Sequence, residues 1–184
     1  MRPLGRPTVL QVEPTSRCNL RCPACPSTAG LGRPRGDLDP ALFSRVVADL
    51  DDALLLVLFW DWGEPFLNPQ ASEMIRRARD AGARVVASTN AHALADQALA
   101  RRVVESGLDV LVVSVDGITQ ESYGRYRAGG SLASALAGLG NVVAEKRRLR
   151  STTPLVNLRF IVMQHNRPSC RNWRGSPAGS VSTC

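Results

Sequence analysis

A short apolar run leads into three closely spaced cysteines: Val9-Leu10-Gln11-Val12, residues 13–17, and then Cys18-Asn19-Leu20-Arg21-Cys22-Pro23-Ala24-Cys25. The apolar run predicts a strand, and the cysteines follow it in the spacing C-x3-C-x2-C. A structural zinc site normally closes its tetrahedron with four ligands, and an electron-transfer cluster normally takes four cysteines. Three thiols therefore predict a metal centre with one coordination position left for another molecule.

Two other interpretations of these thiols stay open. They are ordinary buried cysteines, or they belong to a zinc site that a distant residue such as His92 or His165 completes. The first residues do not have the apolar core of a signal peptide, and the longest apolar run falls far short of the roughly 20 residues that span a bilayer. Clustered thiols in a reducing cytoplasm bind metal more often than they form disulfides. We therefore expect a cytoplasmic metal-binding protein without a membrane partner.

Composition fits one domain and argues against a nucleic-acid partner. The chain has 184 residues, of which 44% are hydrophobic, enough for one sizeable core. Its net charge is +7, but three of these charges lie on Arg167, Arg171 and Arg174 near the carboxyl terminus. The denser basic stretch at residues 146–150 ends a predicted helix, where cations favour the helix dipole. A solvated helix end explains this stretch better than an RNA-binding face.

Strand and helix patterns alternate along the chain. Strands are predicted at residues 9–12, 54–59, 84–88, 110–115 and 156–163, and helices at 40–50, 69–81, 94–105 and 131–149. Such alternation predicts βαβ units around a parallel sheet. Periodicity alone leaves two architectures open, a doubly wound open sheet and a curved segment of a barrel.

The cysteine segment and its polar lead-in at residues 13–17 resemble the signature of the radical S-adenosylmethionine (SAM) superfamily. The resemblance implies that Cys18, Cys22 and Cys25 hold one 4Fe-4S cluster, whose unique iron takes the amino and carboxylate groups of SAM. It also implies an α/β fold, a partial (βα) TIM-like barrel with the active site at the carboxyl ends of its parallel strands. Ala24 departs from the aromatic residue or histidine that many members carry beside the third cysteine.

Two further segments resemble cosubstrate-binding elements of the family. Trp62-Gly63-Glu64-Pro65 is similar to its Gly-Gly-Glu-Pro motif, which implies that Gly63 and Glu64 contact the amino group of SAM. Ser88-Thr89-Asn90 is similar to its Thr-Asn-Gly segment, with Ala91 in place of glycine. Asn90 is either a cosubstrate contact or a local ligand of the backbone.

The fourth predicted strand ends in Ser114-Val115-Asp116-Gly117, which resembles the Ser-Ile-Asp-Gly element of members with a C-terminal auxiliary-cluster (SPASM-type) region. Ser114 and Asp116 alternate to one face, towards the SAM ribose or the substrate. Residues 127–130 resemble the Arg-x-Gly-Gly turn of the family. Arg127 is accordingly expected to bind a carboxylate, with an ordinary surface arginine as the alternative.

The polar end of the fifth predicted strand offers two more candidates. Either Gln164 or Asn166 is expected to touch the ligand, and His165 carries no metal signature by itself.

Residues 167–184 show neither helical nor strand periodicity, although the pattern calls for a helix there. Back-translated with GC-favouring codons and shifted by one nucleotide, the segment reads as an amphipathic helix. We therefore interpret residues 1–166 as an incomplete radical SAM core domain, and residues 167–184 as an irregular, frameshifted tail that truncates the barrel after about five strands. Cys170 and Cys184 then need no role.

The resemblance implies an enzyme. A reductase such as flavodoxin or ferredoxin supplies one electron, SAM is cleaved reductively, and a 5′-deoxyadenosyl radical abstracts hydrogen from the substrate. A peptide or a cofactor precursor is the favoured substrate. The alternative is an inactive truncated remnant, or an iron-sulfur protein that binds the cluster without catalysis.

Overall fold

A computed structural model describes residues 5–168, and most of the predicted tail therefore lies outside the described residues. The five strands of this range are β1 Val9–Val12, β2 Leu56–Phe59, β3 Arg84–Thr89, β4 Val110–Ser114 and β5 Leu155–Arg159. Its helices are α1 Pro26–Ala29, α2 Pro40–Leu50, α3 Ala71–Asp80, α4 Gln97–Glu105, α5 Gln120–Gly124 and α6 Leu132–Arg148. Within these bounds, no helix has both the length and the apolar character that a bilayer crossing needs.

The strands form one parallel sheet in the order β1-β2-β3-β4-β5. A doubly wound sheet reverses its strand order at a switch point, whereas a barrel adds each strand beside the preceding one. The sequential order therefore selects the partial barrel and excludes the doubly wound alternative.

Helices cover one face of this sheet. Parallel register aligns alternate residues of neighbouring strands, such as Val57 with Val85 and Ala87 with Leu111. The aligned residues of this face are fully buried: Val57, Phe59, Val85, Ala87, Leu111 and Val113. The other face, which includes Leu58 and Val86, stays partly accessible. It is the interior face of the partial barrel.

Local signals explain how two helices are placed. The Asp39 side chain accepts a hydrogen bond from the Ala41 N–H and caps α2, at the position the sequence predicts. Gly138 lets α6 lie directly against the loop after β3, because a Cβ there would stand 2.0 Å from the carbonyl oxygen of Ala91. A bulkier residue would push α6 away from the sheet.

The predicted strand bounds are wrong mainly where the sequence is apolar but the chain lies outside the sheet. β5 ends at Arg159 rather than at residue 163, because the chain then turns over the end of β4 and the Ile161 N–H donates to Asp116 Oδ1 at 2.7 Å. β2 begins at Leu56, after a 3-10 turn over Asp51–Ala53. The short helices α1 and α5 were not predicted, since neither is long enough to show a periodic pattern.

Candidate metal centre

The loops that follow the first four strands meet at the carboxyl edge of the sheet. The cysteine loop follows β1, and backbone hydrogen bonds tie it to the next loops: Glu64 N–H donates to Arg17 O at 2.8 Å, and Arg21 N–H donates to Ala128 O at 2.9 Å. The segment before the cysteines is also fixed, because Asn68 Nδ2 donates to Pro14 O at 2.7 Å. Residues far apart in sequence thus surround the three thiols.

Cys18, Cys22 and Cys25 are free thiols on this loop. Cys22 is buried, and the other two are half-buried. The Leu20 N–H lies 3.5 Å from Cys18 Sγ, and Arg127 Nη1 lies 3.9 Å from Cys22 Sγ. Burial raises the pKa of both Cys18 and Cys22. Metal binding therefore has to displace their protons.

The donor set fits an iron-sulfur cluster better than a single ion. Between residues 5 and 168, no three His, Cys, Asp or Glu side chains converge closely enough to hold one metal ion. A 4Fe-4S cluster binds each thiolate to a different iron, so its ligands need not converge on one point. Soft thiolates with N–H donors directed at their sulfur atoms are the ligands that such clusters take.

The zinc site completed by a histidine does not form. Both ring nitrogens of His92 are engaged, since Nε2 accepts the Ser131 N–H at 2.8 Å and Nδ1 lies 3.0 Å from Asn90 Oδ1. His165 Nε2 lies 3.1 Å from the carbonyl oxygen of Ser122.

Glu64 joins the loops after β2 and β3. Its Oε1 accepts from the Thr89 hydroxyl at 2.5 Å, and its Oε2 accepts from the Asn90 N–H at 2.7 Å. The residue is 3% exposed. Burial raises the pKa of Glu64, and these two hydrogen bonds oppose the rise. Each carboxylate oxygen keeps further acceptor capacity, so the predicted contact to an ammonium group stays a prediction.

Gly63 makes a close backbone approach within the protein. A Cβ at this position would stand 1.7 Å from the carbonyl oxygen of Thr15. The glycine therefore lets the loop after β2 pack on the segment that leads to the cysteines. The contact between Gly63 and SAM stays a prediction.

Asn90 is a local ligand of the backbone that also contacts the cysteine loop, and its contact to the cosubstrate stays a prediction. Its Oδ1 accepts the His92 N–H at 3.0 Å, which makes it a local ligand of the backbone. Its Nδ2 donates to Asn19 Oδ1 at 2.8 Å and lies 4.0 Å from Cys18 Sγ, so the side chain also reaches the cysteine loop. Ala91 adopts φ 65°, the left-handed conformation that favours glycine at this place.

Asp116 and Arg127 form a buried ion pair. Arg127 Nε lies 2.5 Å from Asp116 Oδ2, and the side chains are 14% and 0% exposed. The surface position considered for Arg127 is therefore wrong. Asp116 also accepts the Ile161 N–H. Its carboxylate is engaged by the protein and turns Arg127 towards Cys22, while a direct contact to the ribose remains only a prediction.

The remaining candidates are Ser114 at the end of β4 and two residues after β5, Gln164 and Asn166. Ser114 is 6% exposed and lies opposite Arg159 of β5, on the interior face of the sheet. Asn166 is fully buried and bonds the chain itself, because its Nδ2 donates to Asp116 O and Ile161 O and its Oδ1 accepts the Met163 N–H. Gln164 is exposed, and neither it nor Asn166 contacts the cysteine loop.

Sequence reasoning missed three residues that complete the site. Thr89 binds Glu64, Asn19 binds Asn90, and Tyr123 lies buried beside the Asp116–Arg127 pair. Thr89 and Asn19 stand inside the quoted motifs, so their position could have drawn attention to them. For Tyr123 the sequence offered only one indication, its position four residues before Arg127.

Comparisons with known proteins agree with this geometry. A family model described as the Radical SAM superfamily matches residues 12–159. The Fe-coproporphyrin III synthase of Methanosarcina barkeri strain Fusaro is 32% identical over 153 residues, which cover 83% of this chain and 36% of that protein. The PqqA peptide cyclase of Gluconobacter oxydans strain 621H is 29% identical over 160 residues, covering 87% of this chain and 43% of that protein.

Solved structures share the fold. The structure described as native anSMEcpe with bound AdoMet has a TM-score of 0.59 at 18% identity, and it covers 83% of this chain and 44% of that chain. BtrN in complex with AdoMet and 2-DOIA has a TM-score of 0.54 at 24% identity, covering 74% of this chain and 56% of that chain. The chain thus spans less than half the length of the two curated relatives above.

Proposed function

This chain belongs to the radical SAM superfamily, and from that premise we propose that Cys18, Cys22 and Cys25 hold a 4Fe-4S cluster at which SAM is cleaved reductively. When bound, the cluster would supply the electron for cleaving the sulfonium bond of SAM to a 5′-deoxyadenosyl radical, the species that would abstract a hydrogen atom from the substrate.

One observation carries the proposal. Three unpaired thiols stand on the loop after β1, at the carboxyl edge of a partial barrel, and polar side chains from the loops after β3 and β4 reach two of them. Active sites of βα barrels lie at this edge. A purely structural set of buried cysteines does not account for the amide of Asn90 and the guanidinium of Arg127 directed at sulfur.

The chain's own residues bind and orient the cosubstrate in this proposal. Gly63 and Glu64 take its amino group, Asn90 and Ser114 line its path along the interior face, and Arg127 is the cation available to its carboxylate. Glu64 retains acceptor capacity beyond its bonds to Thr89 and Asn90.

The relatives' names support our proposal for the substrate class. The matched proteins include a Fe-coproporphyrin III synthase, a PqqA peptide cyclase and the mycofactocin maturase MftC. We extend to this chain the classes these names denote, a peptide or a cofactor precursor. A cytoplasmic reductase such as flavodoxin or ferredoxin would supply the electron.

The test is anaerobic reconstitution of the full chain with iron and sulfide. We expect about four irons per chain, in line with one 4Fe-4S cluster, a change of the reduced cluster's spectrum on addition of SAM, and 5′-deoxyadenosine in the presence of dithionite. The matched control is Asp109→Asn at the opposite edge of the sheet, which should retain all three signals. A cluster that does not respond to SAM would identify a non-catalytic iron-sulfur protein instead. Failure to bind iron would refute the proposal as a whole.

A further inference from the structure

The Arg127 guanidinium is fixed in place before any ligand arrives. Its Nε bonds the fully buried carboxylate of Asp116 at 2.5 Å, and the ring of Tyr126 lies 5.4 Å from its Cζ. Asp116 is itself held by the Ile161 N–H. Arg127 Nη1 then lies 3.9 Å from Cys22 Sγ. A positive charge is thus held beside one particular thiol of the three.

The Tyr123 hydroxyl is an unpartnered donor in the same region. The residue is fully buried, and its oxygen has no hydrogen-bond partner in the described part of the chain. An unsatisfied buried hydroxyl is destabilising, because the hydrogen bonds it made to water are not replaced. Burial raises the pKa of Tyr123 to about 12, and Arg127, Cys22, Asp116 and Glu64 are the charged groups that act on it. The hydroxyl therefore keeps its proton and can donate it.

Two glycines lie directly against Tyr123. A Cβ at Gly117 would stand 2.3 Å from the Tyr123 backbone nitrogen, and one at Gly130 would stand 3.0 Å from Tyr123 Cε1. The ring also stacks on His92, with 6.3 Å between the ring centroids. These contacts hold a phenol ring whose hydroxyl has no hydrogen-bond partner within residues 5–168. Phenylalanine would fill the same space without the cost of the buried hydroxyl.

We propose that Arg127 and Tyr123 are positioning residues that raise the reduction potential of the cluster at its Cys22 corner. In the loaded protein Arg127 would donate to the Cys22 thiolate, and the unpartnered Tyr123 hydroxyl would donate to a sulfur atom of the cluster. The inference rests on the proposed function, since it requires that the three cysteines hold a cluster.

The physical reason is that the reduced cluster carries one more negative charge than the oxidised cluster. Hydrogen bonds to the sulfur atoms and a nearby cation stabilise the more negative state preferentially. The low dielectric of a buried site strengthens both effects. Asp116 offsets part of the guanidinium charge, because its carboxylate also acts on Cys22 and raises the pKa of that thiol, whereas Arg127 lowers it.

The experiment measures the midpoint potential of the reconstituted full chain without SAM, by following the reduced cluster with EPR at poised potentials. At one fixed potential, Arg127→Gln should lower the ratio of reduced to oxidised cluster about tenfold, a shift of about 59 mV to more negative values. Tyr123→Phe should lower the ratio about threefold. The ring packing is retained and the hydroxyl has no partner among the residues that the structure describes, so this variant should be at least as stable as the wild type.

Matched controls come from the same segment. Arg125→Gln removes an exposed arginine two residues away, and Tyr126→Phe removes the hydroxyl of a half-buried neighbour. Both should keep the wild-type potential. Should Arg127→Gln fail to fold, Arg127→Lys retains the charge without the forked geometry and should give an intermediate shift.

The possible results distinguish failure of this inference from failure of the proposed function. Clusters with equal potentials in the wild type, Arg127→Gln and Tyr123→Phe overturn this inference and leave the proposed function standing. A shift in Arg127→Gln alone overturns the part assigned to Tyr123. A wild-type chain that assembles no cluster overturns the proposed function, and this inference with it.

Discussion

Each end of β4 carries a buried aspartate paired with arginine, but the two pairs have different surroundings. Asp109, before β4, accepts from Arg84 Nη1 at 2.7 Å, from the Val85 N–H at 2.8 Å, and lies 3.0 Å from Arg79 Nη1. Its arginines are 70% and 28% exposed. Asp116, beyond the other end, is fully buried with an arginine that is 14% exposed and reaches a cysteine sulfur.

The two ion pairs therefore differ in what they do. The Asp109 pair holds secondary-structure elements together, whereas the Asp116 pair positions an arginine beside a cysteine. Around Asp109, every side-chain bond joins the start of β4 to β3 or α3, and water solvates the outer arginine. At Asp116 the arginine is desolvated, and its Nη1 lies 3.9 Å from the Cys22 sulfur. Buried ion pairs contribute little net stability, so a desolvated pair of this kind is better explained by what it positions.

The largest effect should come from removing a thiol at the carboxyl edge. Cys22→Ala is expected to lose the cluster, because two thiolates cannot replace three, and with it the formation of 5′-deoxyadenosine. Iron and sulfide analysis with product chromatography measures both. Asp109→Asn should retain them. Equal losses in the two variants would mean that the edges do not differ in function.

The next comparison sets the two aspartates against each other. Asp116→Asn leaves Arg127 buried without its counter-charge and should lower the free energy of unfolding by about 3 kcal/mol. Asp109→Asn should cost about 1–2 kcal/mol, because its arginines can turn to water. Urea unfolding of the apoprotein gives both values. A larger loss of stability in Asp109→Asn than in Asp116→Asn would contradict the expected difference between the two ion pairs.

Glycines distinguish the same two edges. Gly63→Ala at the carboxyl edge drives a methyl group into the Thr15 carbonyl and should destabilise the protein by about 3 kcal/mol. Gly82, before β3, has φ 89° and open space where a Cβ would stand. Gly82→Ala therefore meets only backbone strain, about 1 kcal/mol. Thermal and urea unfolding should preserve this order, and an equal cost would show that the loop around Gly63 yields easily.

The smallest effect concerns pH. Burial lowers the pKa of His92 from its usual 6.5, and Nε2 must be unprotonated to accept the Ser131 N–H. The unfolded chain therefore binds more protons than the folded chain as the pH falls below about 6.5, and stability falls with it. In His92→Gln, the midpoint of urea unfolding should therefore depend less on pH between pH 7 and 5 than it does in the wild type. If the urea midpoint of His92→Gln falls with pH as steeply as that of the wild type, this explanation of the pH dependence is wrong.

Much of the fold could be predicted because its signals are local. The alternation of apolar runs and amphipathic stretches located all five strands, and Asp39 marked the start of α2 correctly. The ends of β5 and β2 could not be found this way. An apolar residue that pairs in a sheet and one that turns across its edge, such as Ile161, look alike in sequence.

The candidate site could be predicted as a set of residues but not as a network. Cysteine spacing and the motifs after β2, β3 and β4 pointed to one edge of the sheet. They did not indicate that Glu64 binds Thr89 and Asn90, that Gly63 packs on Thr15, or that Asn166 bonds its own chain.

The amino-acid pattern alone was enough for the family, the parallel α/β architecture and the three thiols, because spacing and periodicity act over a few residues. The strand order, the burial of Arg127, its bond to Asp116 and its reach to Cys22 depend on contacts between residues as far as 105 positions apart. Those contacts exist only once the strands are side by side, since it is the packed sheet that excludes water from the ion pair and fixes the guanidinium on the sulfur.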